Sequence, residues 1–174
     1  NAMHFLTLQE SHERLAITAM SDVEVSAVPP PDPDDTPPWH TVRDLLRGDR
    51  TPEALAAYQF AFASPHVRPS AEIVAYAAPS FPRGRPIMAA LQDLMRRIHA
   101  DFTYDAEATT VSTAVADVLR ERRGVCQDFA HLNIACLRAL GLPARYVSGY
   151  ILTTPAPGRE RLIGADASHA WISA

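Results

Sequence analysis

The sequence predicts an α+β fold. Three observations carry the prediction: an amphipathic helix pattern from Pro86 to Phe102, a helix from about Cys126 to Leu140 that is apolar around most of its circumference, and two strand-like segments at 144–151 and 168–173. At 174 residues the chain is the size of one domain, and 47% hydrophobic against 21% charged residues supplies one packed interior.

In chain order, Asn1 and Ala2 ahead of Met3 read as the scar of a removed tag and are set aside. Within 3–28, Leu15, Ile17 and Ala19 alternate with Ala16, Thr18 and Met20, and Val23 and Val25 follow, which predicts two or three short strands. Residues 29–38, PPPDPDDTPP, have the composition of an extended connector, and a boundary is placed there. The whole of 29–85 reads as a Pro-rich connector with one or two short helices. One spans Trp39 to Leu46, and another is opened by Thr51 as N-cap, Pro52 at N1 and Glu53 in the first turn and runs through Phe60.

The core segment is 86–174. Pro86 stands at N1 of the clearest helix, whose Ile87, Leu91, Leu94, Met95, Ile98 and Phe102 share a face opposite Gln92, Asp93, Arg96, Arg97 and Asp101. Ser112 or Thr113 caps a shorter helix bearing Val115, Val118 and Leu119, and Arg122-Arg123-Gly124 ends it. The apolar helix that starts at Cys126 stops at Gly141, with Pro143 just beyond. ARYVSGYI at 144–151 then reads as a strand, a polar loop covers 153–165, and in the last strand His169, Trp171 and Ser173 face one way.

A net charge of −4 gives no reason to expect a nucleic-acid or anionic-membrane partner, since Arg96, Arg97, Arg120, Arg122 and Arg123 form no basic face. No apolar run reaches the ~20 residues that span a bilayer, and no signal-peptide pattern is present, so a cytoplasmic location is expected.

The two cysteines differ in setting. Cys126 falls at the first turn of its helix, where unpaired N–H groups and the macrodipole favour a thiolate. Cys136 sits in the middle of an apolar run and reads as structural. Ten helical residues rise ~15 Å, which excludes a disulfide between them, because bridged Cα atoms lie within ~7 Å. Cys126, His131 and Cys136 step ~140° around the helix each time and cannot converge on zinc. Nucleophilic catalysis needs a base, and among seven histidines His169 stands out beside Trp171.

The segments RGVCQDFA (123–130), LGLPARYVSGY (140–150) and DASHAW (166–171) resemble the core of the bacterial transglutaminase-like superfamily. The specific resemblance covers about 86–174, through Phe102-Thr103-Tyr104 upstream, and 4–28 more loosely resembles the last strands of the β-rich region that precedes this core. It implies a papain-like fold, with the buried nucleophile helix packed on an antiparallel sheet. A Cys-His-Asp triad there performs acyl transfer, with Cys126 as nucleophile and His169 as general base and acid. It implies a peptide, protein or small amide as substrate, and nothing in the sequence implies a metal, nucleotide or flavin cofactor.

Family members carry the triad acid on a further strand, whereas this chain ends at Ala174, so the resemblance implies a fragment or degenerate copy with weak or no activity. Asp166, three residues before His169, would lie ~10 Å away on the opposite face of an extended chain and is not assigned to the triad. It stands with Gln127, Asp128, Tyr150 and Trp171 as a candidate cleft or supporting residue. Asp128 also reads as a first-turn helix acid paired with Arg122 or Arg123, and Tyr150 as a sheet-core tyrosine. Exposed sheet edges predict a homodimer or strand exchange. Two alternatives stand beside the enzyme: a non-catalytic binding module that keeps the cleft, and a metal-binding protein using His4, His12, His40 and His66, for which no spacing speaks.

Overall fold

The computed structural model describes residues 5, 7–18, 20, 23–110, 112–151 and 168–174. The chain divides into two units, Asn1–Pro30 and Pro31–Ala174. In the first, the described residues form neither helix nor strand, so no strand read from the alternation at 15–25 is formed among them. Alternation selects a face only once the backbone has found a ladder to join, and a lone extended segment has none.

The second unit contains six α-helices and four strands among its described residues, besides three single-turn 3-10 helices at Pro33–Asp35, Gln59–Ala61 and Ala78–Ser80: α1 (Trp39–Gly48), α2 (Pro52–Tyr58), α3 (Ala71–Ala77), α4 (Ile87–Asp101), β1 (Thr103–Tyr104), α5 (Val115–Glu121), β2 (Arg123–Gly124), α6 (Cys126–Ala139), β3 (Arg145–Gly149) and β4 (His169–Ser173). Local signals act as read at α2, where the Thr51 hydroxyl accepts the Ala54 N–H. At α4, Pro86 is the N-cap rather than N1, and Thr36 supplies the missing cap by accepting the Met88 N–H at 3.1 Å. Helix α5 starts after Ala114 without a side-chain cap, and Thr113 instead accepts the Thr110 N–H at 2.9 Å.

Segment 29–85 contributes more than a linker. Trp39, Val67, Ile73, Tyr76, Ala77 and Phe81 lie in the same buried cluster as Leu94 and Ile98 of α4, Val118 of α5 and Leu132, Ile134 and Leu137 of α6. The two proline-rich stretches bind each other: Trp39 donates its backbone N–H to Arg85 O at 3.0 Å, and Ile87 donates to Pro37 O at 2.9 Å. The Trp39 indole N–H donates to Pro82 O at 2.9 Å. Helix α3, which the sequence pattern did not reveal, is opened by Ser70, whose hydroxyl accepts the Ile73 N–H. On α4, Ala90 takes the buried place expected of Met95, which is exposed.

Helix α6 packs against α3, α4, α5 and β4 and buries seven of its fourteen residues, as its apolar circumference predicts. It ends where the Leu142 N–H reaches back to Leu137 O and Gly141 takes a positive φ of 80°. Strands β3 and β4 then pair antiparallel, with Gly149 opposite His169, Val147 opposite Trp171 and Tyr146 opposite Ile172. Helix α6 and the antiparallel pair therefore meet as expected of an α+β fold. Among the described residues no helix is long and apolar enough to cross a membrane.

Candidate functional site

The segment before Cys126 is set by an unusual turn. Helix α5 closes on Arg122, which adopts a left-handed conformation at φ 57°. A non-glycine residue there must be held by its surroundings. The Arg122 guanidinium lies over the rings of Tyr76 and Phe102, 4.8 and 4.9 Å from their centroids. Its carbonyl accepts the Thr103 N–H at 2.9 Å, and Gly124 O accepts the Asp105 N–H at 2.9 Å, so β2 runs parallel to β1 up to the start of α6.

Cys126 is the first residue of α6 and is half-buried. Two residues on, Asp128 is only 2% exposed. Its Oδ2 accepts the Val125 N–H at 2.8 Å and the Thr109 hydroxyl at 2.6 Å. The acid thus closes the start of the helix, as the acidic half of a capping box does. The expected pairing of Asp128 with Arg122 or Arg123 does not form: Arg122 lies 3.9 Å from Asp101, and Arg123 lies 3.6 Å from both Asp105 and Glu121. A backbone donor and a short hydroxyl suit a buried carboxylate in a tight turn better than a long guanidinium stem. Gln127 is the next helical residue after Cys126 and is partly buried.

Tyr146 of β3 completes this neighbourhood. Burial raises its phenol above the ordinary value, and negative charge at Cys126 and at Asp128 adds to the rise. Its ring leans on His131 of α6 at 5.3 Å, and His131 stacks in turn on His66 at 5.8 Å, nearly parallel. Burial, followed by His66, holds His131 below the ordinary histidine value, with Asp128 acting against both. Sequence reasoning missed Tyr146 and nominated Tyr150, which is 75% exposed. Both residues fall on even positions of the same strand-like segment, so the alternation pointed to the right face and reached past the end of β3.

Residues directly opposed across an antiparallel pair share a face. Tyr146, Ser148, Ala170 and Ile172 therefore form the face toward α6, on which Ile172 packs against the core and Tyr146 against His131. His169 shares the other face with Gly149, Val147 and Trp171. Trp171 lies across Gly149, where a Cβ would stand 2.6 Å from the indole, and is 41% exposed. The structure brings Cys126, Asp128 and Tyr146 together and sets His169 on the strand that packs against the same helix. Among the described residues no hydrogen bond joins Cys126 to His169. Asp166 lies outside the described residues, as does the 153–165 loop.

The metal reading finds no support in the arrangement. His40 accepts the Gly84 N–H, His66 stacks on His131, and among the described residues no group of three or more His, Cys, Asp or Glu could hold a metal ion. His4 lies outside the described residues. Cys136 is fully buried, and burial pushes its thiol up to about 12, against a smaller opposite pull from Arg97. The structural reading of that cysteine stands.

A cysteine opening a buried helix that packs on an antiparallel sheet defines the papain-like class of fold. Residues 75–174 match the sequence model of the transglutaminase-like superfamily, and the chain belongs to that superfamily. Its fold is similar to the crystal structure of a candidate cysteine protease from Cytophaga hutchinsonii, with a TM-score of 0.57 and 28% identity over 71% of this chain and 38% of that one. An uncharacterised protein of Mycobacterium tuberculosis is 45% identical over 177 residues, covering 99% of this chain and 54% of its own length. An uncharacterised protein of Mycobacterium leprae is 34% identical over 170 residues, covering 96% of this chain and 56% of its own. The chain thus spans about half the length of the curated relatives it matches.

Proposed function

We propose that this chain carries the nucleophile and base of a cysteine-dependent acyl-transfer site acting on carboxamide or peptide carbonyls. The observation that supports the reading is the place of Cys126: half-buried, first residue of α6, on a helix start closed by Asp128 and packed beside the strand that carries His169. In the reaction, His169 takes the thiol proton and Cys126 Sγ attacks the carbonyl carbon. The tetrahedral oxyanion forms near the helix N-terminus, where N–H donors point. Collapse transfers the proton to the departing amine or ammonia and leaves a thioester on Cys126. Water or a second amine then attacks the thioester, gives up its proton to His169, and restores the thiol.

The substrate is a peptide, a protein or a small amide. The test is incubation of the chain with a glutamine-containing peptide and hydroxylamine, following ammonia release and the mass of the intact protein. A thioester adduct or hydroxamate formation that disappears in Cys126→Ala supports acyl transfer. Hydrolysis without hydroxamate assigns the amidase or peptidase branch.

A second reading, a non-catalytic peptide-binding module, is favoured by one observation: among the described residues no hydrogen bond joins Cys126 to His169, which stands on the strand face opposite Tyr146. Binding of the same peptide, unchanged by Cys126→Ala and without adduct or ammonia, selects it.

A further inference from the structure

Three segments distant in sequence meet at one carboxylate oxygen. Asp128 Oδ2 takes the Thr109 hydroxyl at 2.6 Å and the Val125 N–H at 2.8 Å, and it packs over Gly124, where a Cβ would stand 2.7 Å away. Thr109 belongs to the stretch between β1 and α5, Gly124 to β2 and Asp128 to α6. At 2% exposure the carboxylate is nearly removed from water. A buried ionised carboxylate requires hydrogen-bond donors, and these two are the ones it has among the described residues. It lies on the first turn of the helix whose first residue is Cys126.

We propose that Asp128 and Thr109 are positioning residues for Cys126: the Thr109 hydroxyl holds the Asp128 carboxylate against the Val125 amide, which fixes the helix start and sets the ease with which the Cys126 thiol ionises. The inference rests on Cys126 being the nucleophile. Two effects of the acid oppose one another. Its cap keeps the N–H groups of the first turn aimed at the thiol, which favours thiolate. Its own negative charge, two residues along the same first turn, disfavours thiolate, and each donor to the carboxylate spreads and weakens that charge. The other titratable groups around Cys126 are Tyr146 from β3, His169 on β4, which packs against α6, and His131 on α6, the last covered by His66 from the 64–67 turn. The guanidinium groups of Arg122 and Arg123 are engaged with Asp101, Asp105 and Glu121. Asp128 is the acidic residue in the first turn of the helix that Cys126 opens.

The experiment is the pH dependence of iodoacetamide alkylation at Cys126, followed by intact mass, for the chain and for Thr109→Val, Thr109→Ser and Asp128→Asn, each with its melting temperature. Asn keeps an acceptor for the Val125 N–H and removes the charge. Val keeps the shape of Thr109 and removes the donor. The expected result is a midpoint lowered by roughly half a unit or more in Asp128→Asn, raised by a smaller amount in Thr109→Val and restored in Thr109→Ser. Lower melting temperatures with unmoved midpoints, or midpoints that move the same way in Asp128→Asn and Thr109→Val, overturn the proposal and leave the pair a fold element. An ordinary thiol titration in the parent chain, unaffected by His169→Ala, removes the acyl-transfer reading instead. The opposite shifts are still read on such a titration, so the two failures are distinct.

Discussion

A Cβ placed on Gly124 would stand 2.7 Å from Oδ2 of Asp128. The glycine immediately before the N-cap of α6 is thus the gap into which the capping carboxylate fits, and its lack of a side chain belongs to the helix start at Cys126.

Substitution of Gly124 by alanine forces the carboxylate off its two donors or shifts β2. The expected loss is about 1–3 kcal/mol, in the range of overpacked sites. Gly48, where an added methyl would meet nothing within 4 Å, is the matched control and should be neutral or slightly stabilised by the same change. Chemical unfolding of the two variants checks this, and equal stabilities would mean that the turn adapts without strain.

Ile73 tests whether 29–85 belongs to the core. It is fully buried on α3 in the cluster shared with α4, α5 and α6. Ile73→Ala should lose about 2–5 kcal/mol, as do large-to-small changes in packed interiors. A linker residue would lose almost nothing. Urea unfolding of the variant decides between the two.

The same region shows where the sequence was legible and where it was not. Helices α4 and α6 could be read because fourteen or fifteen residues hold a face long enough for the period to emerge. Helix α3 is seven residues between prolines, and its one clear signal, Ser70 followed by Glu72 in the first turn, is a capping signal rather than a period. The helix start at Cys126 was legible from its place ahead of an apolar run. Its partners were not: Thr109 lies nineteen residues before Asp128 in chain order, and only the fold brings that hydroxyl to the carboxylate. Tyr146 was passed over for Tyr150 because alternation names a face but not which residue on it meets the helix.

The two thiols should separate cleanly. Cys136 is fully buried and its thiol is pushed up to about 12, while Cys126 is half-buried at a helix start. At about pH 8 a brief iodoacetamide treatment should therefore add a single label, and peptide mapping should place it on Cys126. Unfolding in urea should then expose a second site. Two labels on the native chain would mean that α6 opens on the timescale of the reaction.

His131 gives the chain an acid-sensitive point whose sign is fixed by its surroundings. Burial first, and His66 second, hold its folded-state value below the ordinary histidine value of about 6.5, with Asp128 opposing. The unfolded chain therefore binds the proton more readily than the folded one. The stabilising contribution of the neutral ring is complete above the ordinary value and is lost as pH falls through the lower folded value. The urea midpoint of the parent chain should decline on acidification from about pH 7 to pH 5, a window that lies above the ordinary carboxylate range of about 4. In His131→Gln, which keeps a polar side chain but does not titrate, that decline should be shallower. Tyr146, whose phenol is raised further above neutrality, stays protonated across this window and adds no slope of its own. Parallel declines in the two proteins would assign the acid sensitivity to other groups and leave the His66–His131–Tyr146 stack a packing element.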